Sequence, residues 1–178
     1  MTTQQAPAEA LFQLVTFGGG CFWCVEAVFE RLPGVKSVTS GYAGSPMPKP
    51  DYKMICTGTT GHAEVVQIEF DPAVTSFERL LEIFWLAHDP TTLNRQGADQ
   101  GTQYRSIILY HDDAQRVAAE KSKAGAQAKF SSPIVTSIVP LEKFWPAEDY
   151  HQDFFQNNPR QPYCLATIPA KLKKLGLL

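Results

Sequence analysis

LFQLVTF-GGGCFWC-VEAVFERLPG, residues 11–34, is the stretch that decides the fold. Residues 11–17 are an apolar run of the length of a buried strand. Val25, Val28, Phe29 and Leu32 then recur at helical spacing, and Pro33-Gly34 stops them. Strand therefore passes to helix across Gly18-Gly19-Gly20-Cys21-Phe22-Trp23-Cys24. Three glycines permit a sharp turn and leave the next side chain uncovered. The first N–H groups of a helix have no intrahelical partner and carry partial positive charge. A thiol at Cys21 is thus expected to have a lowered pKa and to act as a nucleophile. Phe22 and Trp23 supply an apolar wall beside it. A buried, inert cysteine is the bland alternative. A phosphate loop is the other, and this stretch lacks both the Lys-Ser/Thr of a P-loop and the G-x-G-x-x-G spacing.

Outward from this stretch, residues 35–42 read as a strand and residues 44–61 as a loop with Pro46, Pro48 and Pro50. Residues 63–70 alternate, with Val66, Ile68 and Phe70 on one face, and Asp71-Pro72 ends them. Thr75 with Glu78 forms a capping box, and Phe77, Leu80, Leu81 and Phe84 line the helix that follows. A polar loop over 88–105 leads to a strand at 106–110. The order β-α-β-β-α-β is the split βαβ of ferredoxin-like folds. A helix from about Asp112, with Gln115 as capping partner, to Lys129 comes next. A strand at 134–139, a short helix at 147–158 and an irregular tail from Pro159 complete the chain. The expected architecture is one α+β domain over residues 1–178, a two-layer sandwich with long functional loops and flexible residues 1–10.

With 178 residues, 44% of them hydrophobic and 19% charged, the chain can bury one sizeable core. Its net charge of −2, with no basic run beyond Lys171, Lys173 and Lys174, argues against a nucleic-acid partner. The polar start lacks the pattern of a signal peptide, and no segment has the length of a membrane span. A cytoplasmic location and a monomer are expected. Four cysteines in such a chain point to redox or catalytic use rather than to a disulfide framework. No metal site is expected, because Cys21-x-x-Cys24 has no second pair of ligands.

Glu64 shares a strand face with Val66, Ile68 and Phe70. A carboxyl on that apolar face is desolvated, which raises its pKa toward neutrality and suits it to general acid work. The alternative is a strand-end carboxylate that reaches water. His62 reads as a turn or hydrogen-bonding residue, and the long polar loop at 89–105 as a place for specific contacts.

GGGCFWC at 18–24, TGHAE at 60–64, HDPTTLNRQGADQGTQYRS at 88–106 and PAEDYHQ at 146–152 together closely resemble the methionine sulfoxide reductase A family. The motifs keep the family's order over residues 14–163. The resemblance implies an α+β sandwich. It makes Cys21 the nucleophile and Glu64 the acid. Tyr52 and Tyr104 match the tyrosines that hydrogen-bond the sulfoxide oxygen, Asp99 matches the acid that supports them, and Phe22 and Trp23 match the pocket for the substrate's methyl group. Two positions depart from the family's usual pattern: Cys24 stands where Gly often follows the Trp, and Ser45 where a second Gly often follows Tyr42-Ala43-Gly44.

What the resemblance implies chemically is reduction of the S epimer of methionine sulfoxide, free or in proteins, without metal or organic cofactor. Cys21 becomes a sulfenic acid, a second thiol condenses with it to a disulfide, and thioredoxin or a similar dithiol reduces that disulfide. Cys164 in the tail and Cys24 on the helix are both candidates for the second thiol, with Cys164 the favoured one and Cys24 a relay that passes the disulfide outward. Cys56 is expected to be structural. Two rival functions are a general thiol-disulfide oxidoreductase, from the C-x-x-C, and a peptide-binding module that uses the aromatics. The first leaves Glu64 and the tyrosines idle, and the second leaves the placement of Cys21 unexplained.

Overall fold

The computed structural model describes residues 11–178. The expected flexibility of residues 1–10 lies outside the described residues. β1 (Gln13–Gly19) leads into α1 (Phe22–Phe29), β2 (Val35–Ala43), α2 (Tyr52–Cys56), β3 (Ala63–Phe70) and α3 (Phe77–Ala87). The short strands β4 (Arg95–Gln96) and β5 (Asp99–Gln100) form a hairpin before β6 (Ser106–Tyr110) and α4 (Asp113–Ala126). β7 (Ser137–Pro140), β8 (Trp145–Pro146), α5 (Phe154–Asn157) and α6 (Pro162–Lys174) follow.

The main sheet runs β7-β6-β1-β3-β2-β8. Its centre, β6-β1-β3-β2, is antiparallel throughout, the ferredoxin-like order that β-α-β-β-α-β implied. β7 extends one edge parallel to β6, and β8 the other antiparallel to β2. Period-two alternation divides β3 between two cores. Val66, Ile68 and Phe70 pack with Val15 and Phe17 against α1, α3 and α6. Ala63 and Val65 pack on the opposite face with Ile107 and Leu109. Phe17 pairs with Val66, and Tyr42 with Glu64. This register puts Glu64 at the end of β3 beside which β1 runs out into Cys21.

Four local expectations are corrected. Asp51 accepts the Met54 N–H at 2.8 Å and starts α2 inside the expected loop. Ser76, not Thr75, caps α3, accepting the Arg79 N–H at 3.1 Å. The expected helix over 147–158 is broken into a 3-10 turn (Asp149–His151) and the single turn of α5, because Asp153 sits in the left-handed region at φ 51°. The expected irregular tail is α6, packed against α1. Pro162 occupies the first helical turn, where a missing N–H costs nothing.

The Asp112 cap stands as expected: its carboxylate accepts the Gln115 N–H at 2.8 Å. Asp112→Ala is expected to lower stability by about 1 kcal/mol, the usual worth of such a cap. Urea unfolding should show the loss while reductase activity stays at the wild-type level, since α4 lies away from Cys21.

Candidate active site

Gly20 turns the chain out of β1 at φ 95°, a conformation that L side chains rarely adopt, and Cys21 becomes the N-cap of α1. The Cys21 carbonyl accepts the N–H of Cys24 at 3.1 Å and of Val25 at 3.3 Å. The next N–H, that of Phe22, has no helical partner. Glu64 takes it: Oε2 lies 3.0 Å from Phe22 N. The strand-end carboxyl therefore sits on the first turn of the helix that carries Cys21.

Glu64 is only 2% exposed. Burial pushes its pKa up to about 8, the Phe22 N–H pulls it down, and the charges of Asp99 and Cys24 push it up further. At neutral pH the protonated acid is thus the principal form. The alternative of a solvated strand-end carboxylate does not hold for this geometry.

Cys21 departs from expectation. Its pKa is raised well above the ordinary thiol value, first by burial, then by a hydrogen bond with Cys24 and by the charge of Glu64. Only the Trp23 N–H acts in the other direction. The helix terminus is outweighed because Cys21 is 8% exposed, at the edge of a cleft of about 210 Å³ closed by the β4–β5 hairpin and α6. Cys24 is the thiol of the pair that is lowered, chiefly through its bond with Cys21 and against its own burial, helped by the charge of Lys171 and by Thr167 and Tyr163. The Thr167 hydroxyl lies 3.6 Å and the Tyr163 hydroxyl 3.8 Å from the Cys24 sulfur. All three helpers belong to α6.

Tyr52 opens α2, and Tyr104 closes the 3-10 turn Thr102–Tyr104 before β6. Burial, chiefly, raises both phenols well above their ordinary value, and the charge of Glu64 acts on each. Both are neutral O–H donors close enough to Glu64 to feel its charge. Asp99, on β5, makes its hydrogen bond to the hydroxyl of Tyr163, while on Tyr104 it acts through charge alone. Its side-chain hydrogen bond thus goes to a third tyrosine.

Phe22 and Trp23 form one wall. Trp23 stacks on Phe154 at 3.7 Å between ring centroids and 5° between planes. Its indole N–H donates to His151 Nδ1 at 3.0 Å. The buried His151 ring also packs on Phe22 at 5.0 Å and on Tyr52 at 4.4 Å. Sequence reasoning assigned no role to His151, Phe154 or Tyr163. PAEDYHQ contained the histidine without showing its partner, and only the fold brings Phe154 and Tyr163 to α1.

The remaining thiols are placed differently from expectation. Cys164 is 0% exposed inside the main core, where burial pushes its pKa up to about 11. The charge of Cys24 also acts on it. Cys56, at the end of α2, is exposed, so it is not a packed structural thiol. Among the described residues no group of His, Cys, Asp and Glu is placed to hold a metal ion.

The family of peptide methionine sulfoxide reductases matches residues 13–176. The chain belongs to that family. It is an oxidoreductase whose reaction is the reduction of methionine sulfoxide. The peptide methionine sulfoxide reductase MsrA of Leptospira borgpetersenii serovar Hardjo-bovis is 57% identical over 159 residues, 89% of this chain and 90% of that one. Among solved structures, yeast (Saccharomyces cerevisiae) Mxr1 in reduced form superposes with a TM-score of 0.81 at 35% identity, covering 90% of this chain and 93% of that one. Mxr1 has also been solved in complex with Trx2, and that chain matches at a TM-score of 0.60 and 26% identity over 86% of this chain and 92% of its own. The charge of Glu64 acts on both Tyr52 and Tyr104, and that of Cys21 on Tyr104, so these four side chains lie near one another. Among the described residues no helix is long and apolar enough to cross a membrane.

Proposed function

We propose that this reductase acts on the S epimer of methionine sulfoxide, in proteins or free, with Cys21 as nucleophile and Glu64 as general acid. The observation that carries the proposal is the buried Glu64 carboxyl bonded to the first N–H after Cys21. Cys21 thiolate attacks the sulfoxide sulfur, and Glu64 gives its proton to the oxygen. The oxygen passes to Cys21 as a sulfenic acid, and methionine leaves as the thioether. Cysteine sulfur is oxidised by two electrons and methionine sulfur reduced by two. Tyr52 and Tyr104 donate to the oxygen as charge grows on it, with Asp99 near them. Phe22 and Trp23 receive the methyl group. Fixed oxygen donors and a fixed methyl slot select one configuration at the chiral sulfur.

Cys24 is the proposed resolving thiol. Its thiol is pulled below the ordinary value by its bond with Cys21 and by Lys171, Thr167 and Tyr163 of α6, and it follows Cys21 by three residues. Side chains three apart within a helix have Cβ atoms about 5–6 Å apart, too far for an unstrained disulfide. Cys21 escapes that limit because its backbone, at ψ 126°, is outside the helix. Attack of the Cys24 thiolate on the sulfenic sulfur forms the disulfide and, with one proton, releases water. Cys164 is the other candidate, but it would have to leave the core. Thioredoxin or a similar dithiol is the proposed reductant, a choice supported by the complex of yeast Mxr1 with Trx2. A reductant-driven cycle suits a reducing compartment, so the cytoplasm is the proposed location. One copy carries every group named, so a monomer suffices.

One equivalent of methionine sulfoxide, added without reductant, tests the thiol assignment. Mass spectrometry should find a Cys21–Cys24 bridge both in the wild type and in Cys164→Ser. A Cys21–Cys164 bridge as the first product would overturn Cys24 as resolving thiol, and a Cys21–Cys56 bridge would overturn both candidates.

A further inference from the structure

Glu26 lies on α1, two residues beyond the motif around Cys21, and the chemistry above leaves it without a task. It is 1% exposed, a buried carboxyl to which, among the described residues, no cation is bonded. A carboxylate is removed from water in this way only where hydrogen bonds replace the water. Three do so. Oε1 accepts the Ser40 hydroxyl at 3.2 Å and the Asp153 N–H at 3.1 Å, and Oε2 accepts the Phe154 N–H at 3.2 Å.

Those last two N–H groups open α5, and no side chain of that turn caps them. Asp153 itself is held in the left-handed region at φ 51°. Such a conformation is costly for an L residue and persists only where its surroundings enforce it. Just before it, Gln152 is bonded to the Ser40 backbone in both directions, at 2.9 Å each. The segment is thus fixed at its start to β2 and at its end to α1. What it presents there is Phe154, stacked flat on Trp23. Trp23 and Glu26 are three apart on α1 and so lie on one helix face. The same helix carries the indole and the carboxyl group that holds the backbone of the facing ring.

We infer that Glu26 is the positioning residue that sets the alkyl selectivity of the site, by holding the Asp153–Phe154 backbone so that Phe154 fixes the plane of Trp23. The inference rests on the proposal that Trp23 bounds the methyl slot. Trp23 is held chiefly by the flat stack on Phe154 and the bond to His151, with the Tyr163 ring edge-on to it at 6.1 Å. With the stack gone, the indole pivots about the remaining bond and the slot admits a larger group. Glutamine at position 26 has the shape of glutamate but replaces one acceptor oxygen by an NH2 donor. Whichever way the amide turns, either the Asp153 or the Phe154 N–H then faces a donor.

The measurement is kcat/KM for the S epimers of methionine sulfoxide and ethionine sulfoxide, with dithiothreitol as reductant. One methylene in a fitted apolar pocket is worth roughly tenfold or more. The wild type should show that preference for methyl, and Glu26→Gln should lose most of it, with the loss for the methyl substrate falling on KM more than on kcat. Alkylation of Cys21 by iodoacetamide should be unchanged, because the thiol itself is untouched. Phe154→Ala removes the same stack from the other side, should reproduce the effect, and decides the matter if Glu26→Gln does not fold. Trp23→Leu separates the two layers of the argument. If it abolishes the preference while Glu26→Gln and Phe154→Ala both keep it, Glu26 has no such role. If Trp23→Leu keeps the preference, the methyl slot lies elsewhere and the inference falls with it.

Discussion

Cys21→Ser is expected to abolish methionine formation from the S epimer, with dithiothreitol as reductant, while the melting temperature holds or rises. A serine hydroxyl at this site is not ionised at any working pH, and the sulfenic intermediate has no counterpart on oxygen. The stability half of the expectation comes from the cap. Cys21 is the N-cap of α1 and makes no side-chain capping bond. Serine is among the preferred N-cap residues, and its oxygen accepts from the second or third N–H of the helix. The exchange therefore removes the nucleophile and improves the local structure at once. Inactivity in a protein at least as stable as the wild type cannot be put down to unfolding. Turnover of the S epimer at even a few per cent of the wild-type rate would mean that another thiol does the chemistry.

Resting Cys21 is not the preformed thiolate that its place at a helix start suggests. Its environment is built from chain segments far away in sequence: the β4–β5 hairpin over residues 95–100 and α6 from Pro162 onward. The motif GGGCFWC shows the helix terminus, which favours the thiolate, but not the hairpin and helix whose burial of the thiol outweighs it. The same blindness applies to α6. Cys164, Ile168 and Leu172 repeat at intervals of four and are the buried residues of that helix, a helical stripe present in the sequence. Pro159, Pro162 and Pro169 obscured it, although a proline in the first turn marks a helix start. The central sheet was readable because β1 is an apolar run that stops at glycines and β3 alternates before Asp71-Pro72. Glu64 was readable for the same reason, since parity with Val66 fixes its face whatever packs above it. Asp99 could be placed near the site by resemblance, but its bond to Tyr163 joins residues 64 positions apart and has no local signal.

Glu64→Gln is expected to slow the first reductive step by roughly a hundredfold at neutral pH, the lower end of what a general acid contributes. Single-turnover formation of methionine measures that step without the recycling reactions. The amide oxygen of glutamine can still accept the Phe22 N–H, so the start of α1 keeps its partner and thermal melts should change little. What is lost is the proton. The wild-type rate should fall as pH rises through about 8, where Glu64 gives that proton up. The two effects of rising pH oppose one another: it ionises Cys21, but it also ionises Glu64, whose charge then resists a thiolate beside it. The productive form carries one negative charge on the thiol side and the proton on the carboxyl. Glutamine holds no titrating proton, so the falling limb at about pH 8 should vanish from the variant's profile. Toward lower pH the gap between the two proteins should narrow, because solvent protonates the sulfoxide oxygen in place of the missing acid. A variant that runs at the wild-type rate at neutral pH, or that keeps the limb near pH 8, would leave Glu64 as a helix partner only and move the acid to another group.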